Sequence, residues 1–586
     1  MQKNQFRWKI GGAAGYGITA TGLVFAKACA RGGLHIFDYT EYPSLIRGGH
    51  NTYQVKVDDR EVFVHDNAAD LLVALNEETL TLHLNELEHG AGILYDPAVV
   101  TLDKDRMASR GLKLFPMPLM AIAKEKGEPI MQNMAALGAS FALVKYPFSF
   151  LETAIQDTFS GRKKDDQVSL ANIAAARSGY EFIEKQFASV DFPYHLEPLQ
   201  DPPERLVITG NEAIALGAIQ AGCSFYVAYP MSPSSSILHT MAAYAEEFGI
   251  VVKHAEDEIS VANMAIGASW AGARSMLATS GGGFSLMVEA LGLAGITETP
   301  VVMINAQRPG PATGLPTWTE QADLRFVIHA AQGEFPRFVI APGDVEECFL
   351  AAGEAFNLAE KYQTPVIILL DKFLSESHAT RAPFDISRIA IERGDILSER
   401  DLEGKKDYRR YEVTASGISP RVLPGTKGGL HIANSDEHDT YGYSNESSDN
   451  RTEQMEKRLR KVASAADQLP QPKLEGTSNA QVTLVGWGST KGPIREAARL
   501  LEGMGITVNR LHLKHVWPFP VKAVASILRG ARQSIVVENN ATGQLFGLIR
   551  EMTGIEANAK VLKFDGRPFY ANEIKESVQE IIKKHA

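Results

Sequence analysis

Four loops in the middle third of the sequence carry hydroxyl, carboxyl and guanidinium groups, each after an apolar segment that predicts a β-strand. The loops are Tyr229-Pro-Met-Ser-Pro-Ser-Ser-Ser236, His254-Ala-Glu-Asp-Glu-Ile259, Thr279-Ser-Gly-Gly-Gly-Phe284 and Asn305-Ala-Gln-Arg-Pro-Gly-Pro-Ala-Thr-Gly-Leu-Pro-Thr317. Carboxyl groups can transfer protons, and a guanidinium with nearby hydroxyls can hold an anion. Open α/β sheets bind ligands at the carboxyl ends of their strands, so four such loops predict a ligand site.

Each loop taken alone also has a structural interpretation. Serines can cap a helix start, and acidic residues there complement the helix dipole. Arg308, followed by Pro-Gly-Pro, could brace its own loop. Only the occurrence of all four loops on one sheet edge favours function.

A glycine-rich run near the amino terminus offers a different chemistry. Gly11-Gly-Ala-Ala-Gly-Tyr-Gly-Ile-Thr-Ala20 follows a predicted strand, contains the pattern G-x-G-x-x-A, and precedes Asp38 at the end of the next strand. This is the arrangement of an NAD site, although the glycines could simply permit a tight turn. The following loop, Glu41-Tyr-Pro-Ser-Leu-Ile-Arg-Gly-Gly-His-Asn51, places one cation among turn residues and argues against NAD.

The elements that position these loops alternate between strands and helices. Residues 6–192 predict an α/β domain with a mostly parallel sheet, and the proline-rich joint 192–203 ends it. The alternation restarts at Arg205-Leu-Val-Ile-Thr209 and continues to about Asp371, which predicts a second α/β domain.

The last third predicts a polar segment and a smaller α/β domain. Residues 375–471 are polar and end in a charged helix, Glu453–Ala465, which indicates a segment that wraps a neighbouring surface. Within it, Asp436-Glu-His-Asp439 has metal-binding residue types, but a solvated loop is the stronger interpretation. The predicted domains are 1–192, 203–374, 375–471 and 472–586.

Composition and charge narrow the function classes. The 586 residues are 45% hydrophobic and 22% charged, as in ordinary globular proteins, and the net charge of −11 disfavours nucleic acid and membrane surfaces as partners. No apolar stretch approaches the roughly 18 residues of a membrane span, and no signal peptide is evident, so we expect a cytoplasmic protein. Cys29, Cys223 and Cys348 are too few for an iron–sulfur cluster, which takes about four cysteines, and we expect them to be buried.

These motifs together resemble those of the 2-oxoacid:ferredoxin oxidoreductases. The glycine run with Tyr42–Asn51 resembles the family's γ domain, and the Tyr229, Glu256-Asp-Glu258 and Gln307–Thr317 motifs resemble its α-subunit pyrimidine-binding domain. The linker and carboxyl-terminal domain are matched by the motifs Tyr411-Glu-Val-Thr414, Gly417-Ile-Ser-Pro-Arg421, Glu437-His-Asp439, Val537-Glu-Asn-Asn540 and Gly543-Gln544. The resemblance implies a fused γα subunit with an α/β, multi-domain fold: a Rossmann-like γ domain, a thiamine-diphosphate pyrimidine-binding domain and a transketolase-C-like domain.

The resemblance also implies how the cofactor is held. Thiamine diphosphate becomes a nucleophile when its thiazolium C2 loses a proton, and a carboxyl group on pyrimidine N1′ favours the imino tautomer that takes this proton. By resemblance Glu258 is that carboxyl, with Tyr229 and Pro230 beside the cofactor.

The implied substrate contacts lie in two of the four loops. Arg308 would hold the carboxylate of a 2-oxoacid, with the hydroxyls of Ser232, Thr313 and Thr317 as donors. The family usually has threonine where Ser232 stands, so the hydroxyl is kept and the packing there is in doubt.

The γ-domain loop at Arg47, Gly48 and Gly49 belongs to the domain that the family links to the coenzyme A half-reaction. Which residues contact coenzyme A does not follow from the sequence.

What the sequence lacks implies a partner. There is no Gly-Asp-Gly run followed by Asn for Mg²⁺ and diphosphate, no cysteine set, and no predicted metal site in this chain. By resemblance a β subunit supplies the diphosphate site, the Mg²⁺ and a 4Fe–4S cluster in an (αβ)2 heterotetramer. The expected reaction is the coenzyme-A-dependent oxidative decarboxylation of a 2-oxoacid, 2-oxoglutarate rather than pyruvate, with electrons passed to ferredoxin.

Three alternatives stay open at this point. The chain could be an NAD-dependent oxidoreductase that uses the glycine run, or a non-catalytic scaffold subunit in which Glu258 and Arg308 are structural. A thiamine enzyme without electron transfer is the third, and the missing diphosphate motif and the γ domain argue against it.

Overall fold

The computed structural model describes residues 2–45, 48–159, 166–405, 407–477 and 479–585. Within these residues the strands are β1 (Gln2–Lys3), β2 (Phe6–Ala13), β3 (His35–Glu41), β4 (His50–Asp58), β5 (Ala69–Ala74), β6 (Leu87–Tyr95), β7 (Lys113–Pro116), β8 (Tyr194–His195), β9 (Leu206–Thr209), β10 (Phe225–Ala228), β11 (Val251–His254), β12 (Ser275–Thr279), β13 (Val301–Gln307), β14 (Phe338–Ile340), β15 (Pro365–Asp371), β16 (His378–Arg381), β17 (Leu474–Glu475), β18 (Val482–Trp487), β19 (Val508–Leu513), β20 (His515–Trp517), β21 (Ser534–Glu538) and β22 (Ala559–Leu562).

The α-helices of the same residues are α1 (Ile18–Arg31), α2 (Glu77–His83), α3 (Lys104–Ser109), α4 (Leu119–Lys126), α5 (Gln132–Leu143), α6 (Phe148–Phe159), α7 (Asp166–Gln186), α8 (Gly210–Gln220), α9 (Ser235–Ala243), α10 (Ala245–Phe248), α11 (Glu258–Trp270), α12 (Gly281–Ile296), α13 (Leu324–His329), α14 (Val345–Tyr362), α15 (Lys372–Glu376), α16 (Glu399–Leu402), α17 (Ser448–Ala466), α18 (Lys491–Glu502), α19 (Val521–Gly530), α20 (Gln544–Thr553) and α21 (Ala571–His585). None of the helices in the described part of the chain combines the length and apolar character that a membrane crossing needs.

The chain forms two compact units. The first comprises Met1–Thr209 and Glu376–Pro383, and the second comprises Gly210–Ser375 and Phe384–Ala586. Each unit is built around its own sheet and core.

The first unit contains, in its described residues, an eight-stranded mixed sheet in the order β7-β6-β5-β2-β4-β3-β16-β9. The predicted parallel pairing holds for β2, β5, β6 and β7. Beyond β2 the pairing is antiparallel, because β4 returns directly beside β3 and inserts between β3 and β2.

The strand at Leu206–Thr209 corrects one expectation. The sequence predicts it as the first strand of the second domain, but β9 pairs antiparallel with β16 at the edge of the first sheet. Its partner comes from a distant part of the polar segment, so local sequence patterns carry no signal for this pairing. The residues Gly210-Asn-Glu212, which directly follow this strand, form the first turn of α8.

Glycines let two helices of the first unit approach at backbone distance. A Cβ on Gly138 of α5 would lie 1.8 Å from the carbonyl oxygen of Ala176 in α7, and one on Gly179 would lie 1.9 Å from that of Ala135. These helices cover the core around Trp8 and Phe25, whose rings stack at 4.5 Å.

The second unit is built on a seven-stranded sheet, counted over its described residues, in the order β11-β10-β12-β13-β15-β14-β20. Strands β10 to β15 are mutually parallel, as predicted, so the loops that follow them lie on one edge. The chain leaves β10 towards β11 and leaves β12 in the opposite direction towards β13. The crevice between β10 and β12 is therefore a topological switch point, where sheets of this kind bind ligands.

Two further parts complete the second unit. The carboxyl-terminal residues form a smaller sheet in the order β17-β19-β18-β21-β22, and β20 joins the larger sheet beside β14. One hydrophobic core runs through both parts, from Val227 and Leu277 to Val485 and Trp487. The central strands β13 and β15 are buried along their whole length, as expected for parallel strands covered on both faces.

The polar segment is held to the second unit by buried ion pairs. The predicted charged helix is α17, and its Lys457 and Lys461 each lie 2.5 Å from the carboxylate of Glu298. Burial opposes the charge on Glu298, but these two lysines outweigh it and hold its pKa well below the ordinary range. In the motif at 436–439, Glu437 pairs with Arg458. No group of three metal-ligating side chains occurs among the described residues.

Candidate active site

Glu258 is the first residue of α11 and lies at the carboxyl edge of the second sheet. Asp257 caps the helix by accepting a hydrogen bond from the Ser260 amide at 2.7 Å, and this cap fixes the direction in which Glu258 enters the sheet edge. Glu258 is only 5% exposed, and no hydrogen bond to its carboxyl group is found among the described residues. The carboxyl oxygens are not among the fully buried polar atoms that lack a partner in the described residues, so they remain accessible to a ligand that donates a hydrogen bond.

Gly283 provides the space that the Glu258 side chain occupies. A Cβ on Gly283 would lie 2.8 Å from both Cγ and Oε1 of Glu258, and 2.1 Å from Oγ1 of Thr279. Gly283, the third glycine of the Thr279–Phe284 motif, therefore leaves room for the Glu258 carboxyl group, a role that could not be predicted from the sequence.

Arg308 and Ser232 lie together. Arg308 follows β13 and donates from Nη1 to the backbone carbonyl of Ser232 at 2.8 Å. No carboxylate pairs with Arg308 among the described residues, and partial burial lowers the pKa of its guanidinium. Its remaining donors are free to hold an anion.

Helix α8 holds the loop of Ser232 in place through hydrogen bonds. Asn211, which is buried, donates from Nδ2 to the carbonyl of Pro233 at 2.7 Å and to the hydroxyl of Ser236 at 2.8 Å. The loop also contacts the next strand, where the hydroxyl of Thr279 lies 3.9 Å from the sulfur of Met231. This contact connects the surroundings of Glu258 with those of Ser232.

The other predicted residues of this edge differ in exposure. Tyr229 and Pro230 are exposed, and the Tyr229 ring lies 6.2 Å from that of His254. Thr313 is exposed in the loop after Arg308, whereas Thr317 is buried. The structure thus brings Arg308 and Ser232 into direct contact, and Thr313 and Thr317 lie farther along the same loop.

A buried polar cluster next to the site, formed by Asn305, Asp323 and Ser280, was not predicted from the sequence. Asn305 donates from Nδ2 to Asp323 at 3.1 Å, and burial raises the pKa of that carboxyl. A Cβ on Gly281 would lie 2.4 Å from Oδ2 of Asp323, so the first glycine of α12 accommodates this carboxyl. The Asn305 Oδ1 and Ser280 Oγ atoms are buried without a hydrogen bond. The only sequence signal was the run of three glycines.

In the first unit, the glycine run and the second predicted loop meet. The Ala14 amide donates to the carbonyl of Gly49 at 3.3 Å, and Gly49 has φ 80°, with Pro43 occupying the space of a Cβ. Gly48 has φ 77° and no atom within 4 Å of a Cβ position. Arg47, the predicted cation of this loop, lies outside the described residues.

Asp38 is committed to internal contacts. It is buried, accepts from the His378 amide at 2.6 Å and the Tyr53 hydroxyl, and pairs with the His378 ring at 2.9 Å. The carboxylate that an NAD site would place on a ribose is therefore unavailable, which disfavours that alternative.

A short chain of hydrogen bonds lies beside the glycine run. His50 and His83 share an Nε2 to Nε2 contact of 2.9 Å, and Nδ1 of His83 lies 2.7 Å from Glu86. Burial lowers the pKa of His50 to about 4, with help from His83 and Lys9. The lowered pKa keeps the His50 ring neutral near pH 7.

Three family models cover most of the chain. A model described as pyruvate flavodoxin/ferredoxin oxidoreductase, thiamine diphosphate-binding, matches residues 216–457. One described as pyruvate ferredoxin/flavodoxin oxidoreductase matches residues 7–182, and one described as pyruvate:ferredoxin oxidoreductase core domain II matches residues 480–574.

Full-length relatives carry consistent names. The 2-oxoacid:ferredoxin oxidoreductase subunit alpha of Saccharolobus solfataricus is 33% identical over 98% of this chain and 98% of its own. The 2-oxoglutarate oxidoreductase subunit KorA of Mycobacterium tuberculosis is 30% identical over 97% of this chain and 90% of its own. A solved 2-oxoglutarate:ferredoxin oxidoreductase from Magnetococcus marinus, with 2-oxoglutarate, coenzyme A and succinyl-CoA bound, is 33% identical, has a TM-score of 0.91, and covers 99% of this chain and 100% of that one. With this agreement in sequence and fold, the chain belongs to the 2-oxoacid:ferredoxin oxidoreductase family, as an alpha subunit.

Proposed function

We propose that this chain, together with a β subunit, converts 2-oxoglutarate and coenzyme A to succinyl-CoA and CO2 and passes the electrons to ferredoxin. The observation that carries the proposal is the Glu258 side chain, which is buried at the switch point of a parallel sheet and has no hydrogen bond to its carboxyl group from the described residues. The choice of 2-oxoglutarate is supported by the name of the Mycobacterium relative and by the ligands of the Magnetococcus structure.

The residues around Glu258 fit the pyrimidine end of thiamine diphosphate. When bound, this cofactor supplies the nucleophilic carbon that adds to the oxo group and the electron sink for loss of CO2. Glu258 would share a proton with pyrimidine N1′, which satisfies the orphan carboxyl. Gly283 leaves the space that the carboxyl group occupies, and Glu258 is only 5% exposed, which limits competition from water.

Arg308 would hold the carboxylate next to the oxo group of the substrate. Its fixed bond to the carbonyl of Ser232 orients the guanidinium while leaving other N–H groups for a bidentate contact. The Ser232 hydroxyl and those of Thr313 and Thr317 are the proposed neighbouring donors. In the first unit, we assign the loop of Arg47, Gly48 and Gly49 to the coenzyme A half-reaction.

The other half of the site is proposed to lie on the β subunit. The name "subunit alpha" implies a partner, and this sequence has no Gly-Asp-Gly motif for Mg²⁺ and diphosphate. All three cysteines are buried, and the described residues contain no group of three or more His, Cys, Asp or Glu side chains that could hold a metal ion. We place the Mg²⁺ and the 4Fe–4S cluster on the β subunit of an (αβ)2 heterotetramer.

Glu258→Gln tests the proposal. The amide keeps the size of the side chain but cannot exchange a proton with pyrimidine N1′, so we expect turnover to fall by about 10²- to 10⁴-fold. Glu256→Gln is the matched control, because Glu256 lies in the same loop and is exposed. The measurement is coenzyme-A-dependent reduction of ferredoxin or a dye by the reconstituted enzyme.

The substrate assignment is tested in the same assay with a panel of 2-oxoacids. We expect the highest kcat/KM with 2-oxoglutarate. Unchanged turnover in Glu258→Gln would refute the role of the carboxyl, and a preference for pyruvate would refute the substrate assignment alone.

A further inference from the structure

We propose that Asp323 is a positioning residue for the proton transfer at Glu258. Its carboxyl group lies against the first turn of α12 and supports that turn on the side opposite the Glu258 side chain. Asp323 acts through the backbone of the glycine run 281–283 and does not itself touch the cofactor. This inference rests on the proposed function, because it concerns the proton that Glu258 exchanges with pyrimidine N1′.

The first and third glycines of α12 face two carboxyl groups. A Cβ on Gly281 would lie 2.4 Å from Oδ2 and 3.1 Å from Cγ of Asp323, whereas one on Gly283 would lie 2.8 Å from Oε1 of Glu258. Successive residues of an α-helix are turned by about 100°, so residues two apart lie on nearly opposite sides. The two carboxyl groups therefore enclose the same turn from two sides, and a shift at one side is passed to the other.

Asp323 stands at a helix N-cap position but does not cap its helix. Asp257 and Asp344 stand at the same position of α11 and α14, and each accepts a hydrogen bond from an amide in its own first turn, at 2.7 and 2.9 Å. The side chain of Asp323 makes no such bond in α13. Because it forgoes the stabilisation that an aspartate cap gives, its carboxyl group serves contacts outside its own helix.

Buried polar side chains of β13 fix Asp323 in this position. Asn305 donates from Nδ2 to Oδ2 of Asp323 at 3.1 Å, and Oε1 of Gln307 accepts a hydrogen bond from the Asp323 amide at 2.9 Å. Gln307 in turn donates to the carbonyl of Leu370 in β15 at 2.8 Å. Asp323 is thus connected to the two central strands of the parallel sheet, which give the glycine run a rigid support.

Two polar atoms beside this contact have no hydrogen-bond partner in the described part of the chain. They are Oδ1 of Asn305 and Oγ of Ser280, and both side chains are 0% exposed. Buried polar atoms without a partner are costly, so their place next to the glycine run calls for a reason other than stability. We assign that reason to the position of Glu258, which the first turn of α12 sets.

A double-mutant cycle between Gly281 and Asp323 tests the contact. Gly281→Ala forces the carboxyl group of Asp323 to move by about 1.0 Å, the difference between an ordinary contact of 3.4 Å and the 2.4 Å found here, and Asp323→Ala removes the carboxyl group. We expect each change to lower kcat by about 10-fold or more. In the double variant the new methyl group occupies space that the carboxyl group leaves, so its kcat should lie within about threefold of the more affected single variant, whereas independent effects would multiply to about 100-fold.

The KM values and a conservative variant separate positioning from a general loss of structure. We expect the KM values for the 2-oxoacid and for coenzyme A to stay within about threefold of wild type in all three variants, because only the position of Glu258 changes. Asp323→Asn keeps the shape of the side chain and an oxygen that accepts from Asn305, and should retain kcat within about threefold. Asp344→Ala is the control, because it removes the cap of α14 and should lower the melting temperature without lowering kcat.

Urea unfolding of the full chain without cofactor repeats the cycle independently of turnover. Non-additive effects on both kcat and the free energy of unfolding would support the proposal. Additive effects on kcat, or a kcat in Asp323→Asn as low as in Asp323→Ala, would overturn it and leave the proposed function intact. If Asp323→Ala does not fold, Gly281→Ala decides alone, since wild-type kcat in that variant would overturn the proposal. A wild-type complex without 2-oxoacid turnover would overturn the proposed function and with it the role of Asp323, even if the unfolding cycle still showed the contact.

Discussion

Replacing Gly283 with alanine tests the geometry of the site without removing any of its functional groups. The new Cβ would lie 2.8 Å from Oε1 of Glu258 and 2.1 Å from Oγ1 of Thr279. The threonine hydroxyl can rotate away, but the glutamate carboxyl is enclosed and has to move. An ordinary contact needs at least 3.4 Å, so the carboxyl oxygen or α12 must shift by about 0.6 Å, the difference between 3.4 and 2.8 Å.

The expected effects follow from that shift. Displacements of about 1 Å in a catalytic group cost up to about 10²-fold in rate, so we expect kcat to fall between about 10- and 100-fold. Overpacking costs about 1 to 3 kcal/mol, and the better helix propensity of alanine offsets up to about 1 kcal/mol of it. The net loss of stability is therefore about 0 to 3 kcal/mol.

The same change elsewhere in α12 is the control. A Cβ on Gly292 would meet only Ala331, at 3.7 Å, which is an ordinary contact. Gly292→Ala should therefore keep its turnover and gain up to about 1 kcal/mol in stability. Thermal melting of the full chain, steady-state turnover of the reconstituted enzyme and the apparent affinity for thiamine diphosphate distinguish the two variants.

One result would contradict the reasoning. If Gly283→Ala turns over like Gly292→Ala and the two have the same affinity for the cofactor, the Glu258 carboxyl does not need the position that the structure gives it. The proton-transfer role would then have to be assigned elsewhere.

Two further predictions concern substrate binding and acid stability. Arg308→Ala should raise the KM for the 2-oxoacid by about 10- to 100-fold, which corresponds to the free energy of a hydrogen bond to a charged group, and should leave the KM for coenzyme A unchanged. Steady-state kinetics measure both constants. A rise in the KM for coenzyme A alone would argue against the assignment. Glu354 lies 2.5 Å from His515 and 2.8 Å from Lys514, and these bonds outweigh burial and hold its pKa at about 2, below the ordinary 4.5. Because the pKa of Glu354 is lower in the folded state, its charge stabilises the fold above about pH 4.5, and this stabilisation is lost as the pH falls towards 2. Glu354→Gln should therefore lower the free energy of unfolding by on the order of 2 to 3 kcal/mol at pH 7 and by much less near pH 2. Urea unfolding at both pH values measures the difference, and an equal loss at each would contradict the role of its charge.

The strands of the second sheet and the loops that follow them could be predicted from sequence. Short apolar runs at Phe225, Ser275, Val301 and Pro365 become buried parallel strands, because continuous hydrophobicity suits a sheet covered on both faces. Parallel strands end on one edge, so the loops of Ser232, Glu258 and Arg308 had to lie near one another.

Other features depended on contacts between distant parts of the chain. Asp38 has the spacing of a ribose-binding residue, and only the contacts with Tyr53 and His378 show that it is engaged internally. The strand at Leu206–Thr209 joins the first sheet through β16, a pairing that no local pattern encodes.

By itself, the sequence determined the order of most elements and the chemical groups at the sheet edge, because these follow from residue types and hydrophobic periodicity. The tertiary structure alone decided that Glu258 is buried, that Gly283 makes room for it, and that the outer sides of α11 and α12 are exposed. Burial and steric contact arise between residues far apart in the chain, so local residue patterns do not contain them.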